Sequence, residues 1–399
     1  MSSRESRSNQ GVSLASLRLP RWLVLVACSL ATAVDLGCAQ DPEDPAVAAA
    51  KLGGPFPVTG CPAVPTVPVA PGGYYVNGNT LCTAEGRAHL LHGVDRPSME
   101  WDSSGEHLSA ADFQLMATWN ANVVRIALNQ DFWLTGSAIH DPGYVARVDQ
   151  VIAWAETAGL DVILDLHWSD AGVLGGCLPS MGCQQKMADA NSVTFWSEVA
   201  TRYQGDGRVM FELYNEPHDV PWAIWKSGGP VDGFQSPGMQ ALYDAVRAAG
   251  AQNLVIVGGL NWAYDLSGVA DNKIVGYNIA YATHPYESGG RGKDTWARSF
   301  AYLTKTDPVV ITEFGSLDAG QTCSTEYGAA LIQYADARAI SWTAWAWYPG
   351  GCRFPAVIDD WAGTPSPSGV IVKAALLGYN DPPASPPRAP IDPELPGLP

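Results

Sequence analysis

The feature that most restricts the fold of this chain is a regular alternation of short apolar runs with segments of helical periodicity. Runs such as Val162-Ile163-Leu164 and Val309-Val310-Ile311 are continuously apolar, which is typical of parallel strands buried on both faces. Eight strands are predicted, at Ala88–Val94, Ala121–Leu128, Asp161–His167, Arg208–Tyr214, Asn253–Gly259, Ile274–Tyr281, Pro308–Phe314 and Ile340–Trp347.

Helices are predicted between most of these strands, and only the segment after the fifth strand has a weak helical pattern. They are Ser109–Trp119, Pro142–Thr157, Ser192–Tyr203, Pro237–Ala249, Lys293–Leu303, Ser324–Ala335 and Ser368–Leu376. Eight alternating units predict an α/β fold of the (β/α)8 TIM barrel type. No glycine-rich dinucleotide fingerprint follows the first strand, which argues against an open doubly wound sheet.

The ends of the chain differ in composition from the barrel. Residues 73–88 contain Asn77-Gly78-Asn79, which predicts a hairpin that would cap the bottom of the barrel. The predicted organisation is a signal peptide at 1–39, a Pro/Ala-rich linker or extended arm at 40–72, the catalytic barrel at 73–380 and a Pro-rich disordered tail at 381–399.

The N-terminal segment predicts export. Basic residues precede an apolar run, Trp22–Val34, that is too short to span a bilayer in the usual way. Cleavage could follow Ala33 or Ala39, and a third alternative is lipid attachment at Cys38. The protein is therefore expected to be secreted, either free or anchored to the cell envelope through Cys38.

The cysteines favour the same compartment. Of eight in the chain, two lie in or beside the signal, which leaves an even number in the mature protein and predicts three disulfides. We expect Cys177–Cys183 first, because it closes a short loop, and then Cys323–Cys352 and Cys61–Cys82. No histidine pair lies at ligand spacing beside these cysteines, so no metal site is expected.

Charge and composition restrict the partners. The formal net charge is −17, and an acidic surface repels phosphate backbones, so nucleic acid is not an expected partner. The 15 tryptophans either pack in the core or line a groove, where flat rings stack on sugars. We expect a monomer with a polysaccharide substrate, no membrane span and no cofactor.

Polar groups gather where the predicted strands end, and in a (β/α)8 barrel the active site lies at the carboxyl ends of the strands. They are Arg125, the segment Asp165–Asp170, Asn215-Glu216-Pro217-His218, His284-Pro285-Tyr286, Glu313, Trp345 and Trp347. Glu216 and Glu313 end the fourth and seventh strands, which face each other across the mouth. Facing strands could hold the two carboxylates about 5 Å apart, the separation of a retaining glycosidase.

Two such carboxylates would have different roles in glycoside hydrolysis. Glu313 would attack the anomeric carbon and form a glycosyl-enzyme, and Glu216 would protonate the leaving sugar and then deprotonate water. Arg125 beside Glu313 would lower the pKa of that carboxyl. Glu216 must hold a proton near neutral pH, which a drier and more negative setting would favour. The structural alternative, a buried pair of salt-bridge carboxylates, leaves their strand-end positions unexplained.

Two strands carry a family resemblance. The segments Val209–Pro217 and Val310–Gly315 resemble the acid/base and nucleophile strands of glycoside hydrolase family 5, the cellulase-like group, and the resemblance extends from about His92 to Trp347. The Asn-Glu-Pro triplet alone is a weak motif. The two strands in this order, with the arginine, histidines and tyrosine placed before or between them, are a specific one.

The resemblance implies a role for each matching residue. Arg125 would orient the nucleophile Glu313, and Tyr286 would donate a hydrogen bond to it. His284 would support the acid/base Glu216. His167 would contact the sugar before the cleavage point, Asn215 would bind the 2-hydroxyl of that sugar, and Trp345 would be the stacking platform. Trp347 is the alternative platform. Trp101, in a more loosely matching segment, could line a distant subsite.

The predicted function is therefore a retaining endo-β-glycanase acting on a β-1,4-glucan. The same mechanism on β-1,4-mannan or another hemicellulose is the close alternative. A carbohydrate-binding barrel without catalysis would have lost Glu216 or Glu313, and both are present. A barrel using a metal or a phosphate substrate would need a ligand cluster or a glycine-rich phosphate loop; Pro349-Gly350-Gly351 better suits a groove wall.

Overall fold

The predicted strands close into a parallel barrel. The computed structural model describes residues 58–177, 183–287, 290–315, 325–352 and 354–379. After a hairpin of β1 (Tyr74–Asn77) and β2 (Thr80–Thr83), the barrel strands are β3 (His92–Arg96), β4 (Val123–Asn129), β5 (Asp161–Trp168), β6 (Val209–Glu212), β9 (Val255–Gly258), β10 (Ile279–Thr283), β11 (Val309–Ile311) and β12 (Ser341–Ala344). Their order around the barrel is β10-β11-β12-β3-β4-β5-β6-β9. The predicted fold class is confirmed.

Helices surround the barrel and return the chain to its lower end. They are α1 (Ala110–Thr118), α2 (Gln130–Trp133), α3 (Tyr144–Thr157), α4 (Ala190–Tyr203), α5 (Trp222–Ser227), α6 (Gly238–Ala248), α7 (Lys293–Ser299), α8 (Glu326–Asp336) and α9 (Pro367–Gly378). A small hairpin of β7 (Gly229–Val231) and β8 (Phe234–Ser236) interrupts the connection between β6 and α6.

Predicted and observed bounds differ by a few residues in several elements, and two elements differ more. The sixth barrel strand was placed at Ile274–Tyr281, but β10 begins only at Ile279, because Asn278 has a positive φ of 52° and Val275 is 72% exposed. The predicted helix at Lys293–Leu303 divides into α7 and a 3-10 helix, Ala301–Lys305. After the fifth strand the fully described connection contains one 3-10 turn, Val269–Asp271, where the helical pattern was weak.

The barrel interior has an apolar lower layer and a polar upper layer. Alternate residues of a strand point to the same face, so the inward series on β4 is Val123 and then Arg125, and on β6 it is Met210 and then Glu212. Val123 and Met210 belong to a buried cluster with residues of the hairpin. Arg125 and Glu212 lie one layer higher and are also buried.

The hairpin lies under the lower layer. Tyr74 and Leu81 of β1 and β2 join the apolar cluster inside the barrel, so the expected cap at the bottom is present. The turn contains Gly78 at a φ of +59°, a left-handed conformation that glycine adopts without strain. The arm before the hairpin is held by Asn278 Nδ2, which donates to Pro68 O at 2.8 Å.

One disulfide joins the arm to the hairpin, and another lies within the connection after β5. Cys61–Cys82 and Cys177–Cys183 are both formed, as predicted. Cys352 is also disulfide-bonded, and its expected partner Cys323 lies outside the described residues. The predicted signal, the first part of the linker and the Pro-rich tail lie outside them too. Among the described residues, no helix is long and apolar enough to cross a membrane.

Candidate active site

Glu216 and Glu313 face one groove at the upper end of the barrel. They follow β6 and β11, and an oxygen of each lies within 4.8 Å of the other and of a ring nitrogen of His284. The groove has a volume of about 380 Å³. Its described lining is His167, Gln184, Glu216, Trp262, Tyr286, Arg291, Glu313, Trp345, Phe354 and Pro355. The structure thus brings the two predicted carboxylates to the short separation that was expected.

Arg125 connects the groups beneath the groove. Its Nη1 donates to Glu313 Oε1 at 2.7 Å, and its Nη2 donates to Asn215 Oδ1 at 2.8 Å. Its Nε donates to Glu212 Oε2 at 2.6 Å. The planar guanidinium therefore holds three side chains, from β6 and from the segments that follow β6 and β11, in one fixed arrangement.

The charge of Arg125 is matched by buried carboxylates. Besides Glu212 and Glu313, its nitrogens lie 3.6 Å from Asp95 Oδ1 and 3.0 Å from Asp165 Oδ2. Burial alone would lower the pKa of the guanidinium, but these carboxylates raise it well above its usual value. Arg125 is therefore charged throughout the working pH range, and it neutralises part of a strongly acidic interior.

Glu313 is held in the form that a nucleophile requires. Tyr286 donates its hydroxyl to Glu313 Oε2 at 2.7 Å, so both carboxylate oxygens accept a hydrogen bond. Burial by itself raises the pKa of Glu313, but the charges of His284 and Arg125 outweigh it and bring that pKa below its usual range. The carboxylate is ionised at neutral pH, in the direction expected from Arg125.

Glu216 has different surroundings from those expected. Its side chain is 14% exposed, and Oε1 lies 3.0 Å from Nδ1 of His284. Burial would lower the pKa of His284, but the charge of Glu313 and hydrogen bonds to other carboxylates raise it to about 10. A second donor, the Gln184 amide, reaches the other oxygen of Glu216. Glu216 thus meets a cationic ring and an amide rather than a dry, negative setting.

His284 is itself fixed from below. Its Nε2 lies 3.0 Å from Thr312 Oγ1, and that hydroxyl donates to Glu212 Oε1 at 2.7 Å. Arg125 binds the other oxygen of Glu212. One continuous set of hydrogen bonds therefore joins the support of Glu216 to the support of Glu313.

His167 and Trp345 form one wall of the groove. Nδ1 of His167 lies 2.6 Å from Asp165 Oδ2. Burial lowers the pKa of His167, but the charge of Asp165 raises it to about 9. The ring stacks on Trp345 with centroids 5.5 Å apart. Trp347 is only 1% exposed and donates to Asp112 Oδ1 at 2.7 Å, so Trp345 rather than Trp347 lines the groove.

Glu216, His284 and Glu313 also lie close enough together to be considered as metal ligands. The carboxylate oxygens already accept hydrogen bonds, since Arg125 and Tyr286 donate to the two oxygens of Glu313. A charged His284 has no free lone pair for an ion. This donor set fits a proton-transfer site better than a metal site, and the expected absence of a metal stays a prediction.

Glu212 and Gln184 are among the site residues that sequence reasoning did not single out. Glu212 lies inside the apolar run Val209–Leu213, and a carboxylate buried in a strand requires a partner, so it could have been found. Gln184 gave no signal, because a neutral amide in a loop is compatible with almost any role.

Trp262 adds an aromatic surface on the Glu216 side of the groove. It is 37% exposed and stacks on His218 with ring centroids 3.6 Å apart. Asn261, Trp262 and Ala263 all have positive φ values, between 53° and 60°. Such conformations are costly for residues other than glycine and concentrate at functional sites, and this turn places the indole in the lining of the groove.

Comparisons with known proteins agree with this geometry. The model of the family Cellulase (glycosyl hydrolase family 5) matches residues 82–351. Endoglucanase N of Pectobacterium atrosepticum is 25% identical over 275 residues, which cover 68% of this chain and 56% of the relative. Endoglucanase E-5 of Thermobifida fusca is 27% identical over 286 residues, which cover 68% of this chain and 54% of the relative. The chain thus spans about half the length of these relatives.

Solved structures are similar as well. The native β-glucanase of Saccharophagus degradans aligns with a TM-score of 0.64 and 25% identity, over 79% of this chain and 97% of that one. The catalytic domain of the Thermobifida fusca endoglucanase Cel5A aligns with a TM-score of 0.60 and 22% identity, over 77% of this chain and 98% of that one. The second likeness concerns the fold alone.

Proposed function

This chain belongs to glycosyl hydrolase family 5, the cellulase family, and we propose that it is a retaining endo-β-glycanase that hydrolyses β-1,4 bonds in a glucan. The observation that carries the proposal is the approach of Glu216 and Glu313 to within 4.8 Å at one groove. Retaining enzymes separate their two carboxyl groups by roughly 5–5.5 Å, whereas inverting enzymes leave room for a water between them.

In the first step, Glu313 attacks the anomeric carbon and the glycosidic bond breaks. The bonding electrons leave with the glycosidic oxygen, which takes a proton from Glu216. Arg125 and Tyr286, bonded to the oxygens of Glu313, orient the nucleophile and keep it ionised.

In the second step, the glycosyl-enzyme is hydrolysed. Glu216 removes a proton from water, the water oxygen attacks the anomeric carbon, and Glu313 departs as a carboxylate. Asn215, held by Arg125 at 2.8 Å, is placed to bind the 2-hydroxyl of the reacting sugar. His167 and Trp345 line the groove where that sugar would lie.

A glucan is the preferred substrate because the relatives reported above are named endoglucanases. An open groove with aromatic walls suits the interior of a polymer, because indole rings stack on successive sugars. β-1,4-Mannan or another hemicellulose remains the alternative substrate for the same mechanism, since these sugars differ at few positions.

Further parts of the proposal concern the state of the protein. We propose that it is secreted, with residues 1–39 as signal and Cys38 as the alternative anchor, and that it acts as a monomer without metal or cofactor. The formed disulfides are consistent with an oxidising compartment. The catalytic unit is placed at residues 73–380.

A reducing-sugar assay of the mature protein on soluble β-glucan, mannan and xylan tests the proposal, with Glu313→Gln as the matched variant. We expect activity on β-glucan, and a loss of at least about 10⁴-fold in Glu313→Gln, because the amide is not a nucleophile. Circular dichroism would verify that the variant is folded. Undiminished activity in Glu313→Gln would reject the mechanism, and binding without cleavage would favour the carbohydrate-binding alternative.

A further inference from the structure

We propose that Gln184 is a positioning residue for Glu216, and that it favours the base role of Glu216 over the acid role. The inference rests on the proposed function, because it concerns the two steps in which Glu216 acts. The side-chain amide of Gln184 donates through Nε2 to Glu216 Oε2, and both side chains line the groove. On the opposite oxygen, Glu216 Oε1 lies 3.0 Å from Nδ1 of His284.

The backbone around Gln184 is fixed by contacts with the barrel. Three carbonyls of segment 183–186 accept hydrogen bonds from residues at or beyond strand ends. These bonds run from Ser169 N to Cys183 O (3.1 Å), from Tyr214 OH to Gln185 O (2.7 Å) and from His218 N to Lys186 O (3.0 Å). The disulfide Cys177–Cys183 ends immediately before Gln184. The amide therefore reaches Glu216 from a backbone that is held on both sides.

Two N–H groups on two different oxygens define the plane of the carboxylate. The last torsion of a glutamate side chain is broad when nothing restrains it. With His284 on Oε1 and Gln184 on Oε2, Glu216 cannot rotate about that bond without losing a hydrogen bond. Gln184 thus completes the orientation that His284 alone leaves incomplete.

The same contact affects the proton on Glu216. A hydrogen bond donated to a carboxylate stabilises its charged form. The charged form is the base that activates water, whereas the first step requires the protonated acid. Gln184 therefore favours the form of Glu216 that acts in hydrolysis of the glycosyl-enzyme.

Two substitutions separate this role from simple packing. Gln184→Met keeps the length of the side chain and removes the donor, and Gln184→Glu places a second carboxylate against Glu216. Gln204→Met is the matched control, since Gln204 lies at the exposed end of α4 and bonds only locally, to Thr201 O at 3.1 Å.

We expect the alkaline limb of the kcat/KM profile on soluble β-glucan to move to higher pH by about one unit in Gln184→Met. In Gln184→Glu the movement should be larger, because two adjacent carboxylates share a proton. On a dinitrophenyl glycoside, whose leaving group needs no acid, kcat should fall about tenfold in Gln184→Met, because Glu216 loses one of the two hydrogen bonds that orient it toward the attacking water. Gln204→Met should leave both measurements unchanged.

A measurement without substrate separates this inference from the proposed function. The titration of the Glu216 carboxyl carbon can be followed by ¹³C NMR and assigned through the signal lost in Glu216→Gln. We expect its midpoint to move to higher pH in Gln184→Met, and an unmoved midpoint would overturn the inference. A moved midpoint in a protein that cleaves no glycan would support the contact and reject the glycanase function.

Discussion

The lower and upper layers of the barrel interior are built from alternate residues of the same strands, yet their chemistry is opposite. On β4 the inward side chain changes from Val123 to Arg125, and on β6 it changes from Met210 to Glu212, with all four at most 1% exposed. The lower layer stabilises the fold by removing apolar surface from water. The upper layer places ions where apolar side chains would often stabilise the fold as well or better.

The difference indicates that the lower layer serves the stability of the fold and that the upper layer serves the chemistry of the site. Charges in the upper layer are tolerated because each is paired, as Arg125 is with Glu212 and Glu313. Removing one partner should therefore leave an uncompensated charge in a buried site. Removing a lower-layer side chain should leave only a cavity.

The largest expected effect comes from Arg125→Met. The substitution leaves buried carboxylates without their shared cation, so we expect the free energy of unfolding at pH 7 to fall by about 3–5 kcal/mol. Urea unfolding measures this loss. Activity should disappear as well, because Glu313 and Asn215 lose their common support.

The loss in Arg125→Met should shrink as the pH falls to about 4, because the unpaired carboxylates can then take up protons. Arg125→Lys is the control that keeps a charge without the planar fork. If Arg125→Met proved as stable as the wild type, the buried carboxylates of the upper layer would not depend on Arg125 for their stability.

A lower-layer substitution should affect stability without affecting chemistry. Met210→Ala removes a fully buried side chain beneath Glu212, and we expect a loss of about 2–4 kcal/mol in unfolding free energy. kcat/KM per folded molecule should stay within about threefold of the wild type, because no group bonded to the catalytic carboxylates changes. Glu212→Gln is the complementary variant, and it should lower activity more than Met210→Ala does.

The two resolved disulfides extend the comparison to the loops. Cys61–Cys82 lies at the hairpin end with a sequence separation of 21, and Cys177–Cys183 lies near the groove with a separation of 6. Loop-closure entropy predicts losses of about 3 and about 2 kcal/mol when each pair is replaced by alanine. Only the second replacement should lower activity, through Gln184. Thermal unfolding and the glycan assay, run on both double variants, test this contrast.

The smallest expected effect is a decrease in stability at alkaline pH. The pKa of His167 is raised to about 9 and that of His284 to about 10. Because these values lie above those of the unfolded chain, their contributions are complete below about pH 6.5 and are lost as the pH rises through 9 and 10. Calorimetry should show the unfolding temperature falling between pH 7 and pH 9.5.

The matched variant for this prediction is His167→Gln, whose unfolding temperature should depend less on pH in that interval.

At acid pH the dependence of stability on pH has the opposite sign. Burial by itself would raise the pKa of Glu212, but the charge of Arg125 lowers it to about 2. Its contribution is therefore present above about pH 4.5 and is lost as the pH falls toward 2.

Much of the fold could be predicted from the sequence because buried parallel strands leave a simple pattern. β5, β6 and β11 lie within the apolar runs that indicated them, apart from Trp168 at the end of β5. The prediction of the sixth strand begins too early because Ile274 is buried in a loop, whereas Val275 beside it is exposed. The hairpin of β7 and β8 was not predicted, since three-residue strands have too few residues for an alternation to be visible.

The candidate site was predictable where a residue type and a strand end coincide, as for Glu216 and Glu313. Trp345 and Trp347 could not be separated, because both follow the end of β12 at an even spacing and alternation assigns them the same face. Gln184 was beyond sequence reasoning, because its role arises from a loop fixed by contacts with distant strands.

The hairpin beneath the barrel also bears on how protons would reach the interior. Because Tyr74 and Leu81 pack into the lower end, we expect the groove at the upper end to be the route from solvent to Glu212 and its neighbours. A glycan lying in the groove would cover that route. The protonation state of the charged layer would then be set when the polymer binds. A change of pH during one catalytic cycle would alter that protonation state only after the polymer has left the groove.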